Sequence, residues 1–339
     1  MLHSIKEMME YMTVPSPRLV ADMKKIKGDI MIIGAGGKVG PTMAIKAQRA
    51  VEAAGTDSKI IAVSLFDYPD AASSMRSAGV TVIEADISDP KQLAALPEAP
   101  NIIYMVGKKF GTTGNETATW RINVILPYLV AQRFPNSRIV SFSTGNVYGP
   151  APIASGGSLE TDICEPVGEY AQTCLGRERI LTDCSVANNT PMLMFRLNYA
   201  IEMRYGVLYD IGKTVYEGKP IDLSSGLFTC VWQGEVCEYA IRSLLHTAVP
   251  PEILNVSSTE SISLRWAAKE MGKRLGKEPI FVGEDPKASM FVNTQKMVQL
   301  MGAPQVGLLD MMDMVAQWIL DGGEVITAPT HFESTDGKF

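Results

Sequence analysis

Glycines at positions 34, 37 and 40 punctuate the segment Met31-Ile32-Ile33-Gly34-Ala35-Gly36-Gly37-Lys38-Val39-Gly40, and an apolar run ending this way is composed like a strand that feeds a phosphate-binding turn. The chemistry it offers is a cradle of backbone N–H groups. Gly34 permits the tight turn, Gly37 lets the backbone approach a pyrophosphate, and Gly40 lets the next helix, residues 41–54, pack closely on the strand. Gly28 ahead of the run, and β-rich runs at 59–66 and 80–85 behind it, place the turn inside a dinucleotide-binding unit.

Other chemistries lack material. His3, His246 and His331 are far apart, and Cys164, Cys174, Cys184, Cys230 and Cys237 form no Cys-x-x-Cys pair, so no metal centre and no Ser-His-Asp triad is expected. An odd cysteine count without a secretion signal suggests reduced thiols. No apolar run approaches the roughly 20 residues that cross a bilayer. Residues 1–12 lack the apolar stretch of a signal peptide, so the expected location is the cytoplasm, away from membranes. With a net charge of −6 over 339 residues and both signs interspersed, no basic face offers itself to nucleic acid.

The elements that must position the turn alternate. Helical patterns at 71–78, 90–95 and 116–134 separate strand-like runs at 59–66, 80–85, 101–106 and 138–142, which predicts α/β architecture: a Rossmann-type, doubly wound parallel sheet. The strand at 138–142 runs into Ser143-Thr144-Gly145-Asn146-Val147-Tyr148-Gly149, where ligands of such sheets bind, and the Pro-, Gly- and Ser-rich loop 150–160 forms a rim. Beyond a helix carrying Tyr170 to Cys184 and a strand at 192–197, shorter strands and helices at 234–246 and 263–275 suit a smaller C-terminal α/β substrate lobe. The expected division is an N-terminal extension (1–28), a dinucleotide-binding domain (29–198), a substrate lobe with elements returning to that domain (199–325), and a tail (326–339).

These landmarks together resemble the extended short-chain dehydrogenase/reductase family, the NAD-dependent epimerases and dehydratases, over about residues 29–320. Gly34-x-x-Gly37-x-x-Gly40 looks like the family's glycine turn, with Lys38 and Val39 inside it, and Asp86-Ile87 resembles its adenine contact. Met105-Val106-Gly107 sits where the family follows its fourth strand past the cofactor, and Asn123 matches its helix asparagine. Thr144 falls at the catalytic Ser/Thr and Tyr170 at the catalytic tyrosine. In the substrate half, Arg196-Leu197-Asn198 resembles the start of the second lobe, where an asparagine touches the ligand. Residues 228–236 look like the segment leading into a late helix, with Trp232-Gln233 in place of the usual acid. The resemblance implies Lys109, Asn146, Asn198, Arg204, Tyr205 and Gln233 as substrate contacts.

Two departures stand out. The family's lysine, four residues after the tyrosine, is Cys174 here. A free tyrosine titrates near pH 10, so without that charge Tyr170 is handicapped as a base but able as an acid, with Thr144 beside it. Arg177, Lys108 and Lys109 are conceivable substitute cations, although Arg177 reads more simply as an exposed helix cation paired with a nearby acid. Tyr148 reads as a packing residue and Cys174 as a small core residue rather than a nucleophile. At the end of the second strand, Ser64 replaces the acid that binds ribose hydroxyls, and Asp67 comes too late. Ser64 tolerates a 2′-phosphate to which Lys38 supplies charge, a lean toward NADP over NAD.

The expected function is NAD(P)-dependent oxidoreduction or epimerisation of a carbohydrate-like alcohol or ketone by hydride transfer, with Thr144 and Tyr170 at the oxygen. The alternative is a catalytically silent NAD(P)-binding regulatory or scaffold protein. A homodimer is the assembly considered.

Overall fold

The computed structural model describes residues 2–66, 69–326, Thr330 and Gly337. Seven strands, β1 (Ile30–Ile33), β2 (Ile60–Ser64), β3 (Thr81–Glu84), β4 (Asn101–Tyr104), β5 (Arg138–Thr144), β6 (Met192–Leu197) and β7 (Glu252–Val256), make one sheet. Their order is β7-β6-β5-β4-β1-β2-β3 and every pairing is parallel. Helices cover both faces, which is why β1 and β4 are unbroken buried runs, Ile-Met-Ile-Ile and Asn-Ile-Ile-Tyr, rather than alternating ones. The strand order reverses beside β1, and there the glycine turn leaves the sheet.

Five helices matter for the site: α1 (Ile5–Thr13), α2 (Pro17–Met23), α3 (Gly40–Ala54), α4 (Gly168–Asn188) and α5 (Gln233–Arg242). The first two are capped by Ser4 and Ser16, whose side chains accept the N–H groups of Glu7 and Leu19. Leu19, Met23 and Ile26 enter the core shared by β1 and α3, while Met8 and Met12 enter the core of the lobe. The first residues therefore join the two cores. Arg242 of α5 locks this arrangement by an ion pair with Asp22 at 2.7 Å, nearly buried on the arginine side.

The lobe is built around Ile201, Leu208, Ile211, Trp232, Leu264 and Met271, with helices Val207–Tyr216, Leu264–Leu275 and Leu308–Leu320 packed on one another. The helical pattern at 116–134 is one continuous run in space, but a π turn, Arg121–Ile125, interrupts it. No helix of the described residues is long and apolar enough to cross a membrane. All five cysteines are free thiols.

The three glycines of the turn carry different constraints. A Cβ on Gly40 would lie 2.0 Å from the Ala35 carbonyl oxygen, and one on Gly34, where φ is +94°, would lie 2.8 Å from the Val106 nitrogen. On Gly37 its nearest neighbour would be the Gly34 oxygen at 3.7 Å, an ordinary contact. Gly40→Ala is therefore expected to lose on the order of 2–4 kcal/mol in guanidinium unfolding, and Gly37→Ala under about 1 kcal/mol.

A second expectation concerns Glu235, in the first turn of α5, which accepts the backbone N–H groups of Gln305 and Val306 while its other oxygen is buried without a partner. Burial raises its carboxyl to about 7 from 4.5. An acid with a raised folded pKa contributes fully below its unfolded value and loses that contribution as pH climbs through the folded one. Between pH 5 and pH 8, Glu235→Gln is thus expected to gain on the order of 1–3 kcal/mol relative to wild type. Urea titrations at both pH values check this, and a difference independent of pH contradicts it.

Candidate functional site

A cleft of about 320 Å³ opens where the carboxyl ends of β4, β5 and β6 meet the glycine turn. Lys38 and Val39 come from the turn, Gly107 and Lys109 follow β4, and Thr144 and Asn146 follow β5. Tyr170, Cys174 and Arg177 line it from α4, Asn198 from the end of β6, and Gln233 from the start of α5. Residues spread over some 200 positions thus converge because each lies just past the carboxyl end of a parallel strand or in the first turns of a helix.

The chemistry centres on α4. Burial pushes the Tyr170 phenol well above the usual range, the neighbouring Cys174 adds to the rise, and the Arg177 guanidinium and the Thr144 hydroxyl oppose it. Tyr170 is therefore neutral at physiological pH. Burial likewise raises the Cys174 thiol, so that sulfur is no thiolate nucleophile; the side chain is 1% exposed and packs with Val147, Tyr148 and Leu175.

Arg177 corrects a sequence-based expectation. It is not an exposed helix cation: it is 4% exposed and lines the cleft. Its Nε donates to the Asn123 carbonyl oxygen at 2.9 Å, Nη1 to the Phe142 carbonyl oxygen at 2.7 Å, and Nη2 to Asn123 Oδ1 at 3.1 Å. Asn123 lies on the π turn, whose widened hydrogen-bonding pattern frees a backbone carbonyl for the guanidinium. Arg177 lies seven residues after Tyr170, on the same helix face, but its partners are two main-chain carbonyls and an amide oxygen, which no residue pattern announces.

Asn123, expected to bind the cofactor, is 0% exposed and fully engaged inside the protein. Its side chain accepts the Lys108 N–H at 2.8 Å and donates to the Lys108 carbonyl at 3.0 Å and to Thr173 Oγ1 at 2.9 Å. It is a positioning residue for the loop carrying Gly107 and Lys109. Arg204 also differs from expectation: its guanidinium pairs with Glu202 at 2.9 Å and does not line the cleft. Lys108, named as a substitute cation, does not line it either. Tyr148 sits in a buried network, donating to Asn255 at 2.9 Å and accepting from Arg196, which pairs with Glu178 at 2.6 Å. That network fixes β5, β6 and β7 to α4 beneath the site.

The rest of the expected cofactor path follows the carboxyl edge of the sheet. Gly34, Gly37 and Gly40 form the turn, and a Cβ on Gly36 would meet the Ser64 hydroxyl at 2.7 Å. Val106 closes on Gly34, while Asp86 and Ile87 follow β3, with Asp86 accepting the Ser88 N–H and Ile87 buried. The N–H groups of Lys38 and Val39 find no acceptor among the described residues, and the open face of Gly37 lies beside them. Unclaimed donors, a clear approach and a helix N-terminus fit a dinucleotide pyrophosphate. Asp67, His331 and most of the 326–339 tail lie outside the described residues.

Lys38 does not take the place expected of it. Its ammonium lies 3.0 Å from the centroid of the Tyr205 ring, across the cleft, and no contact joins it to Ser64. Burial first, then the charge of Lys109, lowers its amine to about 8. Gln233 donates to Thr42 Oγ1 at 3.1 Å and Asn198 to Thr229 Oγ1 at 2.9 Å, so both are held in place at the wall. Phe110, Phe142, Tyr199 and Thr330 line the cleft without having been singled out in the sequence. Phe110, Tyr199 and Thr330 lie outside the helices and strands, where no periodicity marks a residue.

No curated protein matches the sequence. Among solved structures, UDP-glucuronic acid 4-epimerase from Bacillus cereus with NAD superposes with a TM-score of 0.69 at 17% identity, covering 86% of this chain and 98% of that one. UDP-glucose 4-epimerase from Thermotoga maritima with UDP-glucose gives 0.69 at 14% identity, covering 87% and 99%. An epimerase from Methanothermobacter thermautotrophicus gives 0.70 at 14% identity, covering 90% and 96%. At such identities the likeness establishes the fold, including the lobe. The sequence itself matches the model of the NAD dependent epimerase/dehydratase family over residues 30–201, just over half of its length, and the chain belongs to that family.

Proposed function

We propose that the protein is an enzyme that oxidises or reduces one carbinol carbon of a carbohydrate-like substrate, as a net oxidoreduction or as one half of an epimerisation. The observation that carries this reading is the convergence of Thr144, Tyr170 and Arg177 on one cleft, where the threonine hydroxyl and the guanidinium both favour the phenolate. A nicotinamide held beside the glycine turn would supply or accept the hydride. The Thr144 hydroxyl holds the substrate oxygen, Tyr170 gives that oxygen a proton on reduction, and Arg177 stabilises the tyrosinate left behind. The neighbouring structures bind NAD and nucleotide-linked sugars, which supports the substrate class. Lys38 gives no reason to choose NADP, and NAD is the cofactor we assign.

The missing lysine favours the silent-binder alternative, and turnover decides between them. Tyr170→Phe is expected to lower turnover by about 10²–10⁴-fold while cofactor affinity stays within about threefold, measured with a panel of sugars and keto-sugars. Because Tyr170 is neutral, alcohol oxidation should keep rising with pH through 9, and Cys174→Lys should move that rise toward neutrality. Tight NAD binding with no turnover in either direction contradicts the enzyme reading. Gly37→Asp, whose carboxylate repels a pyrophosphate at a position where a side chain fits, should abolish NAD binding with the fold intact in calorimetry and circular dichroism.

We also infer a homodimer through the helices Glu116–Trp120 and Leu126–Arg133, the π turn between them and α4, where Trp120, Ile125, Tyr128 and Val186 are exposed apolar side chains. Ile125→Glu should convert a dimer to a monomer in sedimentation; a monomeric wild type contradicts this. The free thiols support a cytoplasmic location.

A further inference from the structure

The C-terminal segment reads from the sequence as a tail outside the fold, but the two residues of it described beyond Ile326 are both buried. Thr330 is 2% exposed and lines the cleft that holds Thr144 and Tyr170. Its N–H and its hydroxyl both donate to Asp210 Oδ2, at 3.0 and 2.5 Å, and its carbonyl oxygen accepts from Lys109 Nζ at 3.1 Å. Asp210 belongs to the lobe helix Val207–Tyr216, and Lys109 to the loop that follows β4 of the sheet. One residue of the terminal segment is thus bonded to both walls of the cleft.

Two further points locate the segment. The Ile326 N–H donates to the Arg204 carbonyl oxygen of the lobe at 3.3 Å. Gly337 lies against the first residue of α4, where a Cβ on Gly168 would meet the Gly337 carbonyl oxygen at 2.2 Å, and Tyr170 follows two residues later. The cleft that remains measures about 320 Å³. That is near the bottom of the roughly 300–1,000 Å³ that a single small ligand occupies, whereas hydride transfer requires a nicotinamide and a carbinol side by side. With Thr330 seated, the cleft is too small for both.

We propose that Thr330 anchors an autoinhibitory strap: it occupies the cleft, joins the lobe to the sheet through Asp210 and Lys109, and must be displaced before a substrate enters. This regulates the site of the functional reading above and rests on that cleft being where the substrate enters. All three bonds of Thr330 involve a carboxylate or an ammonium, so they are strong enough to keep the seat filled in the absence of a ligand. Ile326, four residues earlier, ties the segment to the lobe. A displaced strap therefore stays at an effective concentration on the order of millimolar and reseats when the cleft empties.

The test is the rate at which iodoacetamide alkylates Cys174, a lining residue of the cleft that is 1% exposed, followed residue by residue by mass spectrometry. A chain ending at Ile326 should react at Cys174 about tenfold or more faster than the full chain. A synthetic peptide of residues 327–339, added at about 1 mM to match the tethered segment, should restore the slow rate, and the same peptide carrying Thr330→Pro should not. Cys237, 0% exposed in the core shared by β1 and α3, reports on the fold and should stay slow throughout. If shortening speeds Cys237 as well, the full chain with Thr330→Pro decides: it removes both donors to Asp210 and should speed Cys174 alone. A Cys174 rate that neither change raises, or a peptide that gives no protection to a folded shortened chain, overturns the proposal. Alkylation needs no turnover, so a protein that turns over no substrate while Cys174 behaves as expected refutes the catalytic assignment alone.

Discussion

One buried guanidinium organises the site. Arg177 reaches from α4 to the π turn at Asn123 and to the end of β5 at the Phe142 carbonyl, so one side chain ties three elements at one point. A buried cation is costly unless its donors are satisfied, and here main-chain and amide oxygens accept three of them, with no ion pair to a carboxylate among the described residues. Its positive charge is left to act on the groups beside it, chiefly Tyr170 and Cys174. The family's lysine projects from the position of Cys174; this chain carries its cation three residues further on, in the wall of the same cleft, where its charge lowers the ionisation cost of the same tyrosine.

The surroundings follow from that choice. A thiol at 174 is small enough to pack with Tyr148 and Leu175 beside Tyr170, and the apolar wall it makes keeps Tyr170 protonated. Protonated tyrosine suits donation to an oxygen that is gaining charge. Beneath the cleft, the Glu178–Arg196 pair and the Tyr148–Asn255 bond hold the carboxyl ends of β5, β6 and β7 against α4, so the acid and its threonine keep their mutual geometry while the lobe supplies the opposite wall.

Much of this was legible in the residues. The glycine spacing, the parallel strand order around β1 and the pairing of Thr144 with Tyr170 all rest on local patterns: apolar runs four to seven residues long, turn glycines, and positions just after a strand. What stayed hidden depends on distance in space. Arg177 reads as a solvated cation until its carbonyl partners are seen, and Asn123 reads as a cofactor contact until its four bonds to Lys108, Thr173 and Arg177 account for it. Lys38 reads as a ribose-phosphate contact because it lies in the turn, but a lysine side chain can span the cleft, and Tyr205 is where it goes.

The most direct measurement is the ionisation of Tyr170 itself, followed by NMR with carbon-13 at tyrosine Cζ in the wild type and in Arg177→Met, using Tyr170→Phe to assign the signal. The account predicts a phenol that titrates above the usual 10 in the wild type and higher still once the guanidinium is removed. A wild-type tyrosine ionised near pH 7, or one whose titration Arg177→Met leaves unchanged in a folded protein, would contradict it.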